Sequence, residues 1–210
     1  MRITYMGHSC FFIEGDKTVV TDPFRDIGYP LKTLRCDVCL STHDHFDHNA
    51  VDLVKTHRRV KGLLDLTKGK IVNIAAIPCY HDGFFGKLRG GNLIYKFEVN
   101  GVVFAHFGDL GGVFDPSMAE RVEPVDIAFI PVGGNYTIDC ETAAAYAKAI
   151  KAKVVIPMHY KTPRSNIDIS DKSAFLAEFD KIETFDSSVE FEKETLPNDL
   201  TVWTFNDENY

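Results

Sequence analysis

The chain has 210 residues, 45% hydrophobic and 25% charged, which is the composition of an ordinary soluble globular protein long enough to form one domain over 1–210. Its 30 acidic residues against 23 basic ones leave a net charge of -7, a field that disfavours long nucleic acids, which bind chiefly by phosphate neutralisation. Five cysteines, an odd number, argue against a disulfide framework; no run approaches the ~18 apolar residues of a membrane span and no export-signal core opens the chain, so a cytoplasmic location is expected.

Arg2–Gly7, Cys10–Glu14 and Thr18–Thr21 read as three short strands, with Glu14–Lys17 a hairpin turn. Asp22-Pro23 ends the third, and Phe24–Leu34 reads as a loop carrying Gly28 and Pro30. Asp37–Thr42 is a short buried strand in which Cys39 is a small hydrophobe; Cys36-x-x-Cys39 has no second such pair to complete a four-thiolate site. The spacing then predicts a helix from Asn49 to about His57, with Arg58, Arg59 and Lys61 as its solvated exit. Two or three strands are expected between 60 and 80, the last delivering Cys79-Tyr-His-Asp82. Gly83–Gly91, with four glycines around Phe84, Phe85, Lys87 and Arg89, is expected to be a mobile loop beside the site.

Asn92–Val99 and Val102–His106 form a hairpin around Asn100-Gly101, the strongest short hairpin signal in the chain, and run into His106-Phe-Gly-Asp109. Beyond it come a helix at Pro116–Arg121, a strand at Val125–Pro131 and a helix at Glu141–Lys151 with Asp139 as its cap. A buried strand at Lys153–Pro157 ends at Met158-His159, followed by a helix over Asp171–Lys181 capped by Ser170. β segments around Glu190 and at Thr201–Phe205 close the pattern, and Asn206–Tyr210 is expected to fray. No linker-like stretch interrupts it. Strand runs followed by alternating strands and helices suit an α/β (α+β) fold, two sheets packed face to face with helices outside.

The densest chemistry lies in Thr42–His48, where His43, His45 and His48 stand with Asp44 and Asp47 in six consecutive positions. Neutral imidazole is the commonest ligand for zinc and its first-row neighbours, and carboxylate is the usual oxygen partner. On a tight turn His43 and His45 converge on one ion while Asp47 and His48 point at a second, the two-metal arrangement used for hydrolysis. A solvated histidine-rich loop or a tag is the bland alternative, and the run's internal position between apolar segments argues against it. The turn supplies two ligands per ion where a closed zinc site wants about four. His81, Asp109 and His159, each at a predicted strand end, fill the vacancies.

With these residues in view, the sequence resembles the metallo-β-lactamase superfamily, whose defining motif is the HxHxDH run at His43–His48, followed by a strand-end histidine, a Gly-Asp pair and a late histidine. Gly7-His-Ser-Cys-Phe11, Thr21-Asp-Pro23, His106-Phe-Gly-Asp-Leu-Gly111, Pro131-Val-Gly-Gly-Asn135 and Ile156-Pro-Met-His-Tyr160 look like one branch, the small metal-dependent hydrolases similar to ascorbate-6-phosphate lactonase. The resemblance covers about 2–162 and implies a metallo-β-lactamase-like αβ/βα four-layer sandwich with its site at one edge of the two sheets. Carried over position by position, it implies that His43, His45 and His81 hold one ion, that Asp47, His48 and His159 hold another, and that Asp109 bridges them. Gly112 stands where some relatives carry a further histidine.

Two cations would lower the pKa of a shared water, giving a hydroxide for attack on a carbonyl or phosphoryl centre, with Asp47 or Asp109 orienting it. His8, Tyr136 and Tyr160 are the candidates for protonating the leaving group, with His8 equally readable as a hydrogen-bonded support for a metal ligand. Asp22 is expected to orient a metal-bound histidine, His106 to pack, Asp44 to support the turn and His57 to lie on the surface. Arg89, Lys87, Lys161 and Arg164 are candidates for a small anion site, the alternative being exposed loop charges.

The expectation is thus a dinuclear-metal hydrolase acting on a small anionic ester, lactone or phosphoester. A nuclease or phosphodiesterase on the same fold and a metal-binding scaffold without turnover are the alternatives. Two divalent ions are expected, zinc first, with manganese, iron and nickel left open. The expected partner is a small molecule, with neither nucleic acid nor membrane, and the 16 phenylalanines leave room for homo-oligomerisation.

Overall fold

The computed structural model describes residues 1–63 and 72–206. Two mixed sheets pack face to face as an α/β sandwich. The first contains β1 (Arg2–Gly7), β2 (Cys10–Glu14), β3 (Thr18–Thr21), β4 (Leu34–Leu40) and β5 (Val54–Val60), in the order β12-β1-β2-β3-β4-β5, where β12 is Ser188–Glu190. The second contains β6 (Ile74–Tyr80), β7 (Gly91–Val99), β8 (Val102–His106), β9 (Ile127–Pro131), β10 (Val154–Met158), β11 (Ile182–Phe185) and β13 (Thr201–Phe205), in the order β11-β13-β10-β9-β8-β7-β6.

Strand direction places the site. β1 and β3 both run antiparallel to β2, and β3 runs parallel to β4, so β1, β3 and β4 point the same way. In the second sheet β6 and β8 both run antiparallel to β7, and β8, β9 and β10 are mutually parallel. The C-terminal ends of β1, β3 and β4 therefore share one edge of their sheet, and those of β6, β8 and β10 share one edge of theirs. Binding crevices of α/β sheets form outside such carboxyl ends.

Aromatic rings join the sheets. Phe11 of β2 lies 4.2 Å, centroid to centroid, from Phe129 of β9, and Tyr5 of β1 stacks at 5.7 Å on Phe205 of β13. Helices α1 (Pro116–Val122) and α2 (Cys140–Ala149) lie on the outer side of the second sheet, where Tyr146 packs against Phe107 and Phe114. Asp139 caps α2 by accepting the Thr142 amide at 2.9 Å, as its position predicts. Asn100 and Gly101 both take the positive φ, 49° and 73°, that the tight β7–β8 hairpin demands.

Of two expected helices, one is absent and one is shortened. Only a single 3-10 turn, Val51–Leu53, follows the histidine-rich segment, and Val54–Val60 is a strand instead of the second half of a helix. Its Val54, Thr56 and Val60 are β-branched, its burial alternates, and it gains a parallel ladder along β4 from Leu34↔Val54 to Leu40↔Val60. Arg58 and Arg59 of the basic cluster are thus part of a strand at the end of the sheet, with Lys61 just beyond it and Arg59 donating to the carbonyls of Val51 and Val54 at 3.1 Å. The helix expected over Asp171–Lys181 shrinks to α3, Ser173–Leu176. Glu178 and Phe179 donate to carbonyls three residues back rather than four, the tightening that ends a helix, and Asp171, not Ser170, holds its first amide. Of the two or three strands expected between 60 and 80, the last is β6 and leads into His81 as expected, while residues 64–71 and the fraying beyond Asn206 fall outside the described residues. Among the described residues no helix is long and apolar enough to cross a membrane.

Candidate metal centre

Six strand ends deliver the polar residues. His8 follows β1, Asp22 follows β3, the His43–His48 run follows β4, His81 follows β6, Asp109 lies three residues beyond β8, and His159 follows β10. His8, Asp22 and His159 adopt φ of 55°, 36° and 52°, left-handed values that non-glycine residues rarely take. Each turns its chain sharply off the sheet edge, and the backbone itself ties two of them together, His159 N donating to His8 O at 3.1 Å. Strain of this kind persists only where surrounding packing holds it.

The side chains converge. Donor atoms of His43, His45 and His81 all lie within 4.8 Å of one another, as do those of His8, Asp47, His48 and His159, and those of His43, His48 and Asp109. Asp109 stands between the groups: Oδ1 is 3.1 Å from His48 Nε2, and Oδ2 is 2.9 Å from His81 Nε2 and 3.2 Å from His159 Nε2. All seven residues of the expected ligand set therefore meet in one place.

Three observations fit divalent cations in this cluster. His43 Nε2 and His45 Nδ1 face each other at 3.0 Å, lone pair toward lone pair unless one carries the proton. The buried His48 Nε2 and Asp109 Oδ1 find no hydrogen bond of good geometry despite their proximity. The donor set of imidazoles and carboxylates is that of first-row divalent metals. The clusters are thus consistent with two metal ions and with metal-dependent hydrolysis.

The electrostatics agree. Burial and the neighbouring His48 push the His43 pKa down to about 3, and burial with His159 pushes that of His8 to about 4, so both rings are neutral near pH 7. Burial would raise the Asp109 carboxyl, but His159 and His48 outweigh it and hold it well below the ordinary carboxylate range. Asp47 is depressed in the same way, burial being overcome by the hydrogen bond from His8 and the charge of His48. The two carboxylates are therefore ionised. Burial opposes the charge on His48, but Asp109 and Asp22 overcome it and raise its pKa well above the ordinary imidazole value. Asp109 likewise overcomes burial to raise that of His81, so a bound cation would displace protons from these two rings.

Around the cluster the supports are specific. Asp22 Oδ2 lies 2.8 Å from His48 Nδ1 and accepts the Thr42 hydroxyl at 2.7 Å, while its Oδ1 accepts the Thr42 amide at 2.8 Å. His106 is occupied elsewhere, its Nε2 2.9 Å from Ser9 O and its Nδ1 accepting the Gly108 amide at 3.2 Å. Asp44 is exposed and braces the turn through Asn49, and His57 is a surface residue, as expected. Asn92, which the sequence did not single out, accepts the Asp109 amide at 3.1 Å and donates to Phe107 O at 2.8 Å. Its only signal was a polar residue at the start of an apolar strand.

The site opens into a cleft of about 830 Å³ lined by His45, Phe46, Asp47, His81, Asp109 and His159 of the cluster and its turn, together with Arg89, Tyr136, Asn166 and Ile167. Asp26, Asp44 and Asp168 complete its lining. Of the four expected cations only Arg89 lines this cleft. Lys161 donates to Ile167 O at 2.7 Å, Arg164 lies over the Tyr29 ring at 5.6 Å in a different depression, and Lys87 is exposed. Tyr160 is buried against Tyr5 and Lys172 and does not line the cleft, whereas Tyr136 does.

The glycine-rich stretch expected to be mobile is wound around one carboxylate. Asp82 Oδ1 accepts the amides of Phe84 and Gly86 at 2.7 and 2.9 Å, and Oδ2 accepts those of Leu88 and Arg89 at 2.9 and 2.8 Å. An aspartate ahead of a glycine was the available clue, since Asx side chains satisfy following amides in turns.

A model of the beta-lactamase superfamily domain matches residues 2–159. A UPF0173 metal-dependent hydrolase of Pyrococcus furiosus is 32% identical over 193 residues, covering 77% of this chain and 85% of that protein. A structure from Thermotoga maritima, assigned to the Zn-dependent hydrolases of the metallo-β-lactamase superfamily, superposes with a TM-score of 0.76 at 32% identity over 98% of this chain and 99% of that one. The metallo hydrolase Igni18 of Ignicoccus hospitalis, 21% identical with a TM-score of 0.61 over 91% of this chain and 99% of its own, shares the fold.

Proposed function

Because the chain belongs to the beta-lactamase superfamily, in its metal-dependent hydrolase branch, we propose that it is a dinuclear-metal hydrolase of a small anionic ester, lactone or phosphoester. The observation that carries this reading is the position of Asp109, whose two oxygens face His48, His81 and His159 at 2.9–3.2 Å between two groups of imidazoles. In this reading His43, His45 and His81 hold one ion, Asp47, His48 and His159 hold the other, and Asp109 serves both. Zinc is the proposed metal, since imidazole donors suit it and the Thermotoga relative is assigned as Zn-dependent. When bound, such ions supply Lewis acidity toward a carbonyl or phosphoryl oxygen and acidify water.

The chain's own groups do the rest. Asp22 Oδ2 accepts a hydrogen bond from Nδ1–H of His48 and so orients the ring with its Nε2 toward the cluster. His8, neutral at pH 7, presents Nε2 to Asp47 Oδ2 at 3.3 Å, and we assign it to holding that carboxylate rather than to delivering a proton. Asp47, ionised and at the cleft wall, accepts the proton of the attacking water. Tyr136, which lines the cleft, is the assigned donor to the leaving group. Because the site takes residues from both sheets, residues 1–210 are read as one domain.

A cleft with one arginine and three further carboxylates, Asp26, Asp44 and Asp168, argues against nucleic acid as substrate. The test is elemental analysis of purified protein together with a panel of chromogenic esters, phosphodiesters and lactones. Two metal equivalents and cleavage of small esters or lactones, abolished by chelation and restored by metal, support the proposal. Bound metal with no turnover of any class would leave a scaffold instead.

A further inference from the structure

Arg89 differs from every other cation near the site. It is half-buried in the cleft that the proposed metal ligands also line, and among the described residues its guanidinium has no carboxylate or carbonyl partner. It is nevertheless held in place. Its backbone amide is pinned by Asp82 Oδ2 at 2.8 Å, and its guanidinium carbon lies 5.3 Å from the centre of the Tyr136 ring. A guanidinium held over an aromatic ring, with no carboxylate partner, keeps N–H donors available in the fork that matches a carboxylate or phosphate. Rotamer freedom restricted over Tyr136 is not lost again on binding. Apart from the proposed ligands Asp47 and Asp109, the other charges lining this space, Asp26, Asp44 and Asp168, are all exposed carboxylates. They repel a second anionic group wherever it falls away from Arg89.

We propose that Arg89, presented by the Asp82-wound turn and lying over Tyr136, is the anchor for a single compact oxyanion on the substrate, a carboxylate or a phosphate, whose remainder is uncharged. The inference rests on the hydrolase reading and narrows it: the substrate is a small monoanion with its scissile group placed toward Asp109 and its anion toward Arg89. Asp82 is the positioning residue, since all four amides that shape the turn converge on its carboxylate.

The experiment uses paired substrates. The 4-nitrophenyl monoesters of succinate, glutarate and adipate are compared with their methyl-capped neutral twins, and the ratio of kcat/KM within each pair is read in wild type, Arg89→Gln and Arg89→Lys. Loss of metal or of folded protein lowers both members together and leaves the ratio untouched. The wild type is expected to prefer the acid at one chain length, and Arg89→Gln to lose that preference by about 10- to 100-fold, the scale of a hydrogen bond to a charged group. Arg89→Lys, a charge without the fork, should recover only part of it. Absence of acid preference at every length in the wild type, or its persistence in Arg89→Gln, overturns the proposal. A turnover-free measurement separates this from failure of the hydrolase reading. Binding of ω-mercaptocarboxylates of two to four carbons and of their carboxamides to metal-loaded protein is followed by calorimetry. Preference for the acid that vanishes in Arg89→Gln supports the anchor even if no ester is cleaved, and equal binding of acid and amide overturns it.

Discussion

Asp22 and His48 are joined at 2.8 Å through Oδ2 and Nδ1, both side chains fully buried, although they are 26 residues apart in sequence. The same carboxylate holds the amide and hydroxyl of Thr42, the residue that opens the histidine-rich turn. One aspartate therefore sets both the ring tautomer of a proposed ligand and the path of the backbone that carries three others.

Replacing Asp22 with Asn removes the charged acceptor while keeping the size. The amide can face His48 Nδ1 with its oxygen only by giving up one of the Thr42 contacts. Metal affinity is expected to fall about 10- to 100-fold, the usual cost of losing a carboxylate behind a metal-bound histidine. Competition with a chromogenic chelator measures it, and an unchanged affinity would remove Asp22 from this role.

Asp109→Ala takes away a carboxylate whose two oxygens face His48, His81 and His159. The expected outcome is loss of turnover together with about one metal equivalent, read by elemental analysis beside the ester assay. Retention of two equivalents would mean that the bridge lies elsewhere.

The turn around Asp82 has a definite pH response. Burial alone would raise this carboxyl, but the amides of Arg89, Phe84, Leu88 and Gly86 outweigh it, so its pKa lies below the ordinary value of 3.8. A depressed folded pKa means that its contribution is complete above the unfolded value and is lost as pH falls through the folded one. Amide hydrogen exchange at Phe84, Gly86, Leu88 and Arg89 should therefore show constant protection from pH 5 to 8, after correction for the intrinsic rate. In Asp82→Asn protection of these amides should fall throughout that range. Equal protection in both proteins would show that the carboxylate does not hold the turn.

Gly108 tests the packing beneath the site. Its φ is +54°, and an added Cβ would come within 2.7 Å of Thr42 Cβ and press on the Asn92 side chain that orients Asp109. Gly108→Ala is expected to destabilise the fold by about 1–3 kcal/mol, the range for strained left-handed positions, with a lower Tm and weaker metal retention. A Tm within experimental error of the wild type would contradict this account.

What the sequence determined by itself was what is local. His43, His45, Asp47 and His48 share one turn, so their spacing alone brings four donors close together, and Asn100-Gly101 declares its hairpin because both residues tolerate positive φ. Alternation and β-branching marked most strands for the same short-range reason. Val54–Val60 escaped because its helical reading competed with a ladder to β4 that only the assembled sheet provides. The charges divided likewise: Arg89, Lys161 and Arg164 are equivalent as letters, and only the folded loops aim the first into the cleft and turn the other two toward Ile167 O and Tyr29. His81, Asp109 and His159 join the turn because six strands, three from each sheet, end at the same edges. Strand direction is a property of long-range pairing, whose partners lie tens of residues away, and no window of sequence contains it.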